Sequence, residues 1–250
     1  MNNFKNKDPL LEMARGEVIG MKSSSPYGNN PDLDAAAEDL HEVGSLYMGG
    51  GYAAPSVLSM RSAAPPDVCV VRLKGLTDWD TPEITEDVTL TGTTDVDSTN
   101  VFCILHSAEI ISGGPNLGEV SIDMGVSTNI AKILSEKVNT HIAAIGIPRG
   151  STGYVSQYFG TILGSVVQCA VKASLMVDAD PVEAGGGSSS FAEVHSIGFG
   201  VLNGTSKAVH EFKPYRKIIG PAMVKVQLDG SSTAANLVAS GGFDIIIERH

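Results

Sequence analysis

The sequence predicts an all-β protein: a jelly-roll-like β-sandwich preceded by an extended N-terminal arm, with one or two short helices. Three observations predict it. From about residue 66 onward, short runs alternate apolar and polar residues and are broken by Gly, Pro, Asn and Asp at sandwich-like spacing. Glycine is plentiful, at 28 of 250 residues, and only 18% of residues are charged, below the roughly 25% of an average domain. The first 65 residues lack this punctuated alternation. The expected organisation is therefore an arm over residues 1–65 and a sandwich over 66–250. The alternative is two smaller β-domains divided near residue 140.

In chain order, Lys22 to Pro31 is a succession of turn formers. Leu33, Ala36, Ala37 and Leu40 then fall at helical spacing, so a short helix is expected near residues 33–43. Asp32 or Asp34 could cap it, because a carboxylate accepts the orphan N–H groups of a first turn. Glycine-rich and proline-rich loops follow to Pro66. A stretch this long without a core of its own becomes reasonable when another subunit supplies its apolar partner. The β-like runs are Val68–Lys74, Glu86–Thr91, Val101–Leu105, Val120–Met124, His141–Ile147, Tyr154–Leu163, Val166–Val177, Ala192–Val201, Ala208–Phe212, Ala222–Leu228 and Phe243–Glu248. One helical pattern interrupts them at Thr128–Val138, where Ile130, Ile133, Leu134 and Val138 share a face. Gly185–Ser190 reads as a flexible loop.

Charge and motifs exclude several functions. The net charge is −11 and the pI near 4.9, so the basic footprint required for nucleic acid is absent, as is attraction to an anionic membrane surface. No run reaches the ~20 apolar residues of a membrane-spanning helix. Residues 1–20 carry charges throughout, with no apolar segment of a secretory signal. G-x-S-x-G, P-loop and H-E-x-x-H signatures are missing, and the six histidines are dispersed. No catalytic, cofactor-binding or metal-binding residue is nominated. Asp95 with Asp97, and Asp178 with Asp180, resemble fragments of a calcium loop. They lack the glycine and distal glutamate of an EF-hand and read as solvated turns. Cys69, Cys103 and Cys169 each sit in an apolar run, as small buried hydrophobes do. Tyr154 and Tyr158, two strand positions with Gln157 beside them, suit either cross-strand packing or a carbohydrate platform.

Several segments keep their order along the chain: Arg15–Gly20 (RGEVIG), Tyr27–Asp34 (YGNNPDLD), Glu38–Leu40 with Gly49–Tyr52, Glu86–Thr94 (EDVTLTGTT), Ile147–Tyr158 (I-P-x-G-x-T-G-Y) and Gly241–Glu248 (GGFDIIIE). Together they resemble a family of β-rich virion structural proteins of tailed phages, of the marine and freshwater cyanophage type. The chain departs from that pattern between Ala131 and Asn139, and at His41, where an aromatic is common. The resemblance implies a particle component made in the host cytoplasm and located in the virion.

The expected function is non-enzymatic: a capsid cement or decoration protein that binds the major capsid protein and its own copies, as a homo-oligomer and specifically a trimer. Its partner-binding residues would be the apolar side chains of the arm, Leu33, Leu40, Val43, Leu46, Tyr47, Met48 and Tyr52. A tail, head–tail or baseplate component is the structural alternative. A host-glycan-binding module built on Tyr154 and Tyr158 is the alternative from another class. Enzyme and lectin demand a concave pocket, whereas cement demands a wide, flat footprint.

Overall fold

A computed structural model of the chain describes residues 9–33, 36–43, 55–125, 127–165, 169–179, 181, 191–201, 204–230 and 237–250. The chain opens with α1 (Pro9–Ala14), β1 (Met21–Ser24), β2 (Tyr27–Leu33) and β3 (Ala37–Asp39). It continues through β4 (Ser56–Ser62), β5 (Val70–Leu76), β6 (Ile84–Thr89), β7 (Val96–Phe102), β8 (Ile104–Ser112), β9 (Val120–Met124) and β10 (Ser127–Ile133). It closes with β11 (Ala144–Ile147), β12 (Ser151–Ser165), β13 (Cys169–Asp178), β14 (Ala192–Val201), β15 (Gly204–Ile219), β16 (Ala222–Gly230) and β17 (Leu237–Arg249).

The last seven strands and the first three make a jelly roll. One sheet runs β1–β17–β12–β15, with β2 also on β17; the other runs β11–β16–β13–β14, with β3 also on β16. Only β13 and β14 are consecutive and paired. Every other step from β11 to β17 carries the chain across to the facing sheet, and β12 pairs with both β15 and β17 while β13 pairs with both β14 and β16. Nested antiparallel pairs with crossing connections are the double Greek key of a roll. Inward residues of both sheets, among them Val155, Tyr158, Ile162, Val171, Leu175, Val226, Phe243 and Ile245, form its core.

Residues 55–133 form a second sandwich, inserted between β3 and β11. Its sheets run β10–β9–β4–β7 and β6–β5–β8 around Leu58, Met60, Leu73, Phe102, Ile122 and their neighbours. This core also takes in Ile142, Ala144 and Met223, so the insert packs on the outer face of the β16 sheet. That explains why every residue from Ala222 to Val226 is buried. Val224 and Val226 face the roll core, and Met223 faces the insert. A strand covered on both faces loses its polar alternation.

Three expectations are corrected. Residues 21–33 and 37–39 are not an arm leading away from the body. β1 and β2 lie end to end along β17, with Met21 opposite Glu248 and Tyr27 opposite Gly242. The helix expected near 33–43 is absent among the described residues: β3 pairs with β16 instead, Asp39 opposite Gln227. Two strand segments and a bend happen to place Leu33 and Leu40 seven residues apart, and both are buried in the roll. The helix expected at 128–138 is β10, paired with β9. The register shifts between Ser127 and Ala131, and Asn129 adopts φ 52°, a conformation asparagine tolerates. That bulge spaces Ile130 and Ile133 three apart and imitates a helical face. Gly185–Ser190 lies outside the described residues.

The three cysteines are buried, with 3%, 2% and 5% of their surface exposed for Cys69, Cys103 and Cys169. Burial, aided by the Asp78 charge, pushes the Cys103 thiol up to about 12. The thiolate is the reactive form. All three are therefore expected to resist a thiol reagent in the native protein and to react together on unfolding. Fast labelling of Cys103 in a native titration would contradict this packing.

Candidate functional site

The chain leaves the roll after Leu40 and returns at Ile142, and the two ends form a short ladder. His41 bridges Ile142, and the Ala143 N–H donates to the Leu40 carbonyl at 3.0 Å. Gly28 of β2 lies against the same carbonyl; a Cβ there would stand 1.8 Å from its oxygen. Glu42 and His141, side by side at this neck, are joined through Oε1 and Nδ1 at 2.6 Å. The Tyr27 ring meets the His141 ring edge-on, centroids 5.5 Å apart.

Beside the neck, a cleft of about 360 Å³ separates roll from insert. Lys22 to Tyr27 line one wall, and Lys74, Glu83, His106 and Ser107 the other. The Gly146 N–H donates to His106 Nε2 at 2.9 Å, which requires the imidazole proton to be on Nδ1. That Nδ1 lies 2.6 Å from Glu83 Oε2, and Lys22 Nζ lies 2.5 Å from Glu83 Oε1. Burial acts to raise the Glu83 carboxyl, but the hydrogen bond from His106 and the charge and hydrogen bond of Lys22 outweigh it and hold the group well below the usual carboxylate range. His106 Nε2 thus reaches across to the roll at Gly146, while its Nδ1 holds Glu83, a neighbour in the insert, toward Lys22 of β1. Activating a nucleophile needs a base within reach of a hydroxyl. Among the described residues, neither His106 nor His141 is hydrogen-bonded to one. This cleft is built as a junction.

At the opposite edge of the roll, His195 of β14 and His210 of β15 stack with centroids 3.9 Å apart. Tyr158 Oη lies 2.7 Å from His195 Nδ1, and Phe212 packs edge-on against both imidazoles. This cluster ties together the edges of the two sheets. Tyr158 is fully buried and Tyr154 donates to Glu248 at 3.1 Å, so these two tyrosines do not form the paired platform a glycan module would need. The register shift between Val155 and Gln157 sends them to opposite faces.

Of the arm residues expected to bind a partner, Leu33 and Leu40 are 0% and 1% exposed in the protein's own roll. They are unavailable to a partner, because β2 and the neck fold back on the roll. Val43 is half-buried, and its N–H donates to His41 Nδ1 at 3.2 Å. Leu46, Tyr47, Met48 and Tyr52 lie outside the described residues. Asp95 pairs with Arg61 at 2.8 Å and Asp178 is buried, while Asp180 lies outside the described residues. Among the described residues no group of three or more His, Cys, Asp or Glu side chains is placed to hold a metal, and no helix is long and apolar enough to cross a membrane.

The surface that sequence reasoning missed is the outer face of the β17 sheet. Cross-strand register puts Val209, Phe159, Gly242 and Tyr27 in one row over four strands. The missing side chain at Gly242 lets the Phe159 and Tyr27 rings stack across it, centroids 6.5 Å apart. Leu163 and Val238 form a parallel row. Six of the fourteen exposed large apolar side chains among the described residues belong to this sheet: Tyr27, Leu163, Val209, Tyr215, Ile219 and Val238. Alternation in the sequence marks these strands but does not say which face is left uncovered.

No known family profile and no curated protein sequence matches the chain. Its fold is similar to solved structures at low scores. The Gx strain of infectious bursal disease virus aligns with TM-score 0.28 and 9% identity over 92% of this chain and 72% of that one. The VP2 subviral particle of the same virus gives 0.22, with 9% identity over 92% and 72%. A putative secreted protein from Parabacteroides distasonis gives 0.19, with 10% identity over 94% and 91%. The assignment of the roll rests on strand order within this chain.

Two outcomes are expected. Leu40→Ala removes a fully buried side chain and should destabilise by roughly 2–5 kcal/mol, lowering Tm by about 4–20 °C; an unchanged Tm would place Leu40 outside the core. The second concerns pH. Burial first, and then the neighbouring His210, hold His195 below its ordinary 6.5 against the opposing pull of Glu193. A histidine depressed in the folded state contributes stability above its unfolded pKa, and that contribution is lost as pH falls through the folded value. Tm should therefore fall between about pH 7 and 5, and His195→Gln should flatten part of that fall. Parallel Tm–pH curves for the two proteins would refute the assignment.

Proposed function

We propose that the chain is a structural protein of a virus particle, a capsid cement or decoration subunit of a tailed phage that works through contact area and not through chemistry. The observation that carries this reading is the outer face of the β17 sheet, where six of the fourteen exposed large apolar side chains among the described residues belong to one five-stranded sheet. Contiguous exposed apolar surface marks an interaction site. The roll is consistent with it, being an architecture used by viral capsid and lectin domains alike. A fold by itself does not settle function, and the low content of charged residues, 18%, supports a chain much of whose surface is covered in its working state.

The major capsid protein is the proposed partner, with further copies of the chain beside it. A standard stable interface buries about 1,600 Å², and repetition on a lattice adds avidity to modest single contacts. The neck residues Leu40 and Leu33 take no part, since the roll already buries them.

The test is electron cryo-microscopy of purified particles, with and without the chain. Density for the roll and insert on the shell, and shells that form without the chain but rupture more easily, are the expected results. Density confined to the tail would remove the cement role and leave a virion structural protein. Absence of the chain from purified particles would remove the reading altogether.

A further inference from the structure

We propose that the cleft between roll and insert binds a short, uncharged saccharide, through a row of three side chains that the junction leaves unused. The inference goes beyond the structural role above and does not rest on it.

The row follows from strand register. Lys74 of β5 lies opposite Ser107 of β8. Beyond β8 the ladder continues: Glu109 bridges Asn139, the Ile110 N–H donates to the Val138 carbonyl, and the Thr140 N–H donates to the Ala108 carbonyl. Two residues back from Glu109 and two on from Asn139, Ser107 stands opposite His141. Lys74, Ser107 and His141 therefore share one face, and at about 4.8 Å between neighbouring strands the row spans roughly 10 Å. All three line the cleft. The β5–β8 register shifts between Lys74 and Gly75, which makes His106 the extra residue of a bulge. Bulges re-aim side chains. His106 reaches the Gly146 N–H, and the row beside it stays open.

Most polar groups at the cleft are spent on the junction. Lys22 and His106 are held by Glu83, and the Thr140 hydroxyl accepts from the Ala108 N–H at 2.9 Å. The row differs. Lys74 Nζ and Ser107 Oγ make no hydrogen bond or ion pair among the described residues. His141 Nδ1 is held by the buried Glu42 carboxylate at 2.6 Å, so the neutral ring carries its proton there and Nε2 is an acceptor. Nε2 has no partner among the described residues, and the side chain is 25% exposed. In order, the row offers a donor, a hydroxyl that donates and accepts, and an acceptor.

Charge balance selects the class of ligand. At the cleft, Lys22 and Lys74 are matched by Glu83 and by Glu42 behind His141. Further along the same face, Glu109 lies opposite Arg72, which is paired with Asp87 at 2.7 Å. Carboxylate and phosphate recognition calls for converging cations, and this cleft has no excess of either sign. Hydroxyls of a saccharide both donate and accept, which suits the mixed row. The opposite wall carries Tyr27, 42% exposed and edge-on to His141, an aromatic surface for the C–H face of a sugar ring. The volume, about 360 Å³, sits at the small end of the roughly 300–1,000 Å³ of small-molecule sites, so the ligand is short.

NMR titration of the full chain with glucose, galactose, mannose and N-acetylglucosamine tests this. At least one sugar should give saturable shifts at the Ser107 amide and at His141 Nε2. Lys74→Met should weaken binding about tenfold or more, and Ser107→Ala about two- to tenfold, each with the wild-type melting temperature. No saturable shift with any of the four sugars overturns the proposal. So does binding that both variants leave unchanged, which would lie elsewhere. Glucuronate binding more tightly than every neutral sugar would overturn the uncharged class. A chain found in particles that binds no sugar refutes the cleft site alone, and a sugar-binding chain absent from particles refutes the particle reading alone.

Discussion

The structure depends on the closure of the neck. About a hundred residues separate Leu40 from Ala143, yet their backbones are hydrogen-bonded, and His41 bridges Ile142 beside them. Closing so long an excursion costs entropy that grows only slowly with length, so the closing contacts must be short and well made. The Leu40 side chain is buried in the roll, its carbonyl accepts from Ala143, and Gly28 lets β2 lie directly against it. The Val226 N–H then donates to the Ala143 carbonyl at 3.1 Å, which ties the neck to β16. The strand that starts the roll and the strand that resumes it are held together here. Without this ladder the insert would be a second domain on a tether, not a body seated on the roll.

β16 is where the two bodies share a core. Its alternate residues serve the roll on one side and the insert on the other, and the side facing outward also holds a buried charge. Lys225 is 3% exposed and Asp39 is 2% exposed, with Nζ and Oδ1 2.9 Å apart. Gln227 donates to the same carboxylate at 2.8 Å, and the Phe191 ring lies 4.0 Å from Nζ. A buried pair of this kind adds little net stability over an apolar pair, but removing one member leaves an uncompensated charge. Its effect is to make β3 dock in one register on β16. Glu83, His106 and Lys22 do the same between the insert and β1. Polar contacts set the relative placement of bodies that apolar packing alone would hold less specifically.

Rigid placement gives the surface its directional character. With the insert covering the outer face of the β16 sheet, the roll leaves the outer face of the β17 sheet exposed, with Val209, Leu163 and Val238 on it. The placement comes from inserting one β-body into another and burying the shared side.

The sequence by itself determined the fold class. Val120–Met124 and Ala192–Val201 were legible to the residue, and β5, β6, β11, β12, β13 and β16 to within a few positions, because a half-buried strand writes its period of two into the chain, whereas β1 to β4 fall in the stretch read as an arm and Val101–Leu105 straddles β7 and β8. The burial of Cys69, Cys103 and Cys169 was legible for the same reason: each stands in an apolar run. Tertiary structure decided the rest. Leu33, Ala37 and Leu40 carry helical spacing, and Ile130 and Ile133 do too, but pairing with β16 and β9 outweighs so short a periodicity. Where the chain folds back at residue 40 to enclose an insert is a long-range fact with no local signal. Which side of β12, β15 and β17 remains uncovered is another, because alternation distinguishes two faces without naming the one that faces the core. Leu33 and Leu40, singled out for binding, are instead buried by the roll. The surface offered to partners lies on strands whose sequence looks like ordinary core, and only the position of the second sheet and of the insert leaves it exposed.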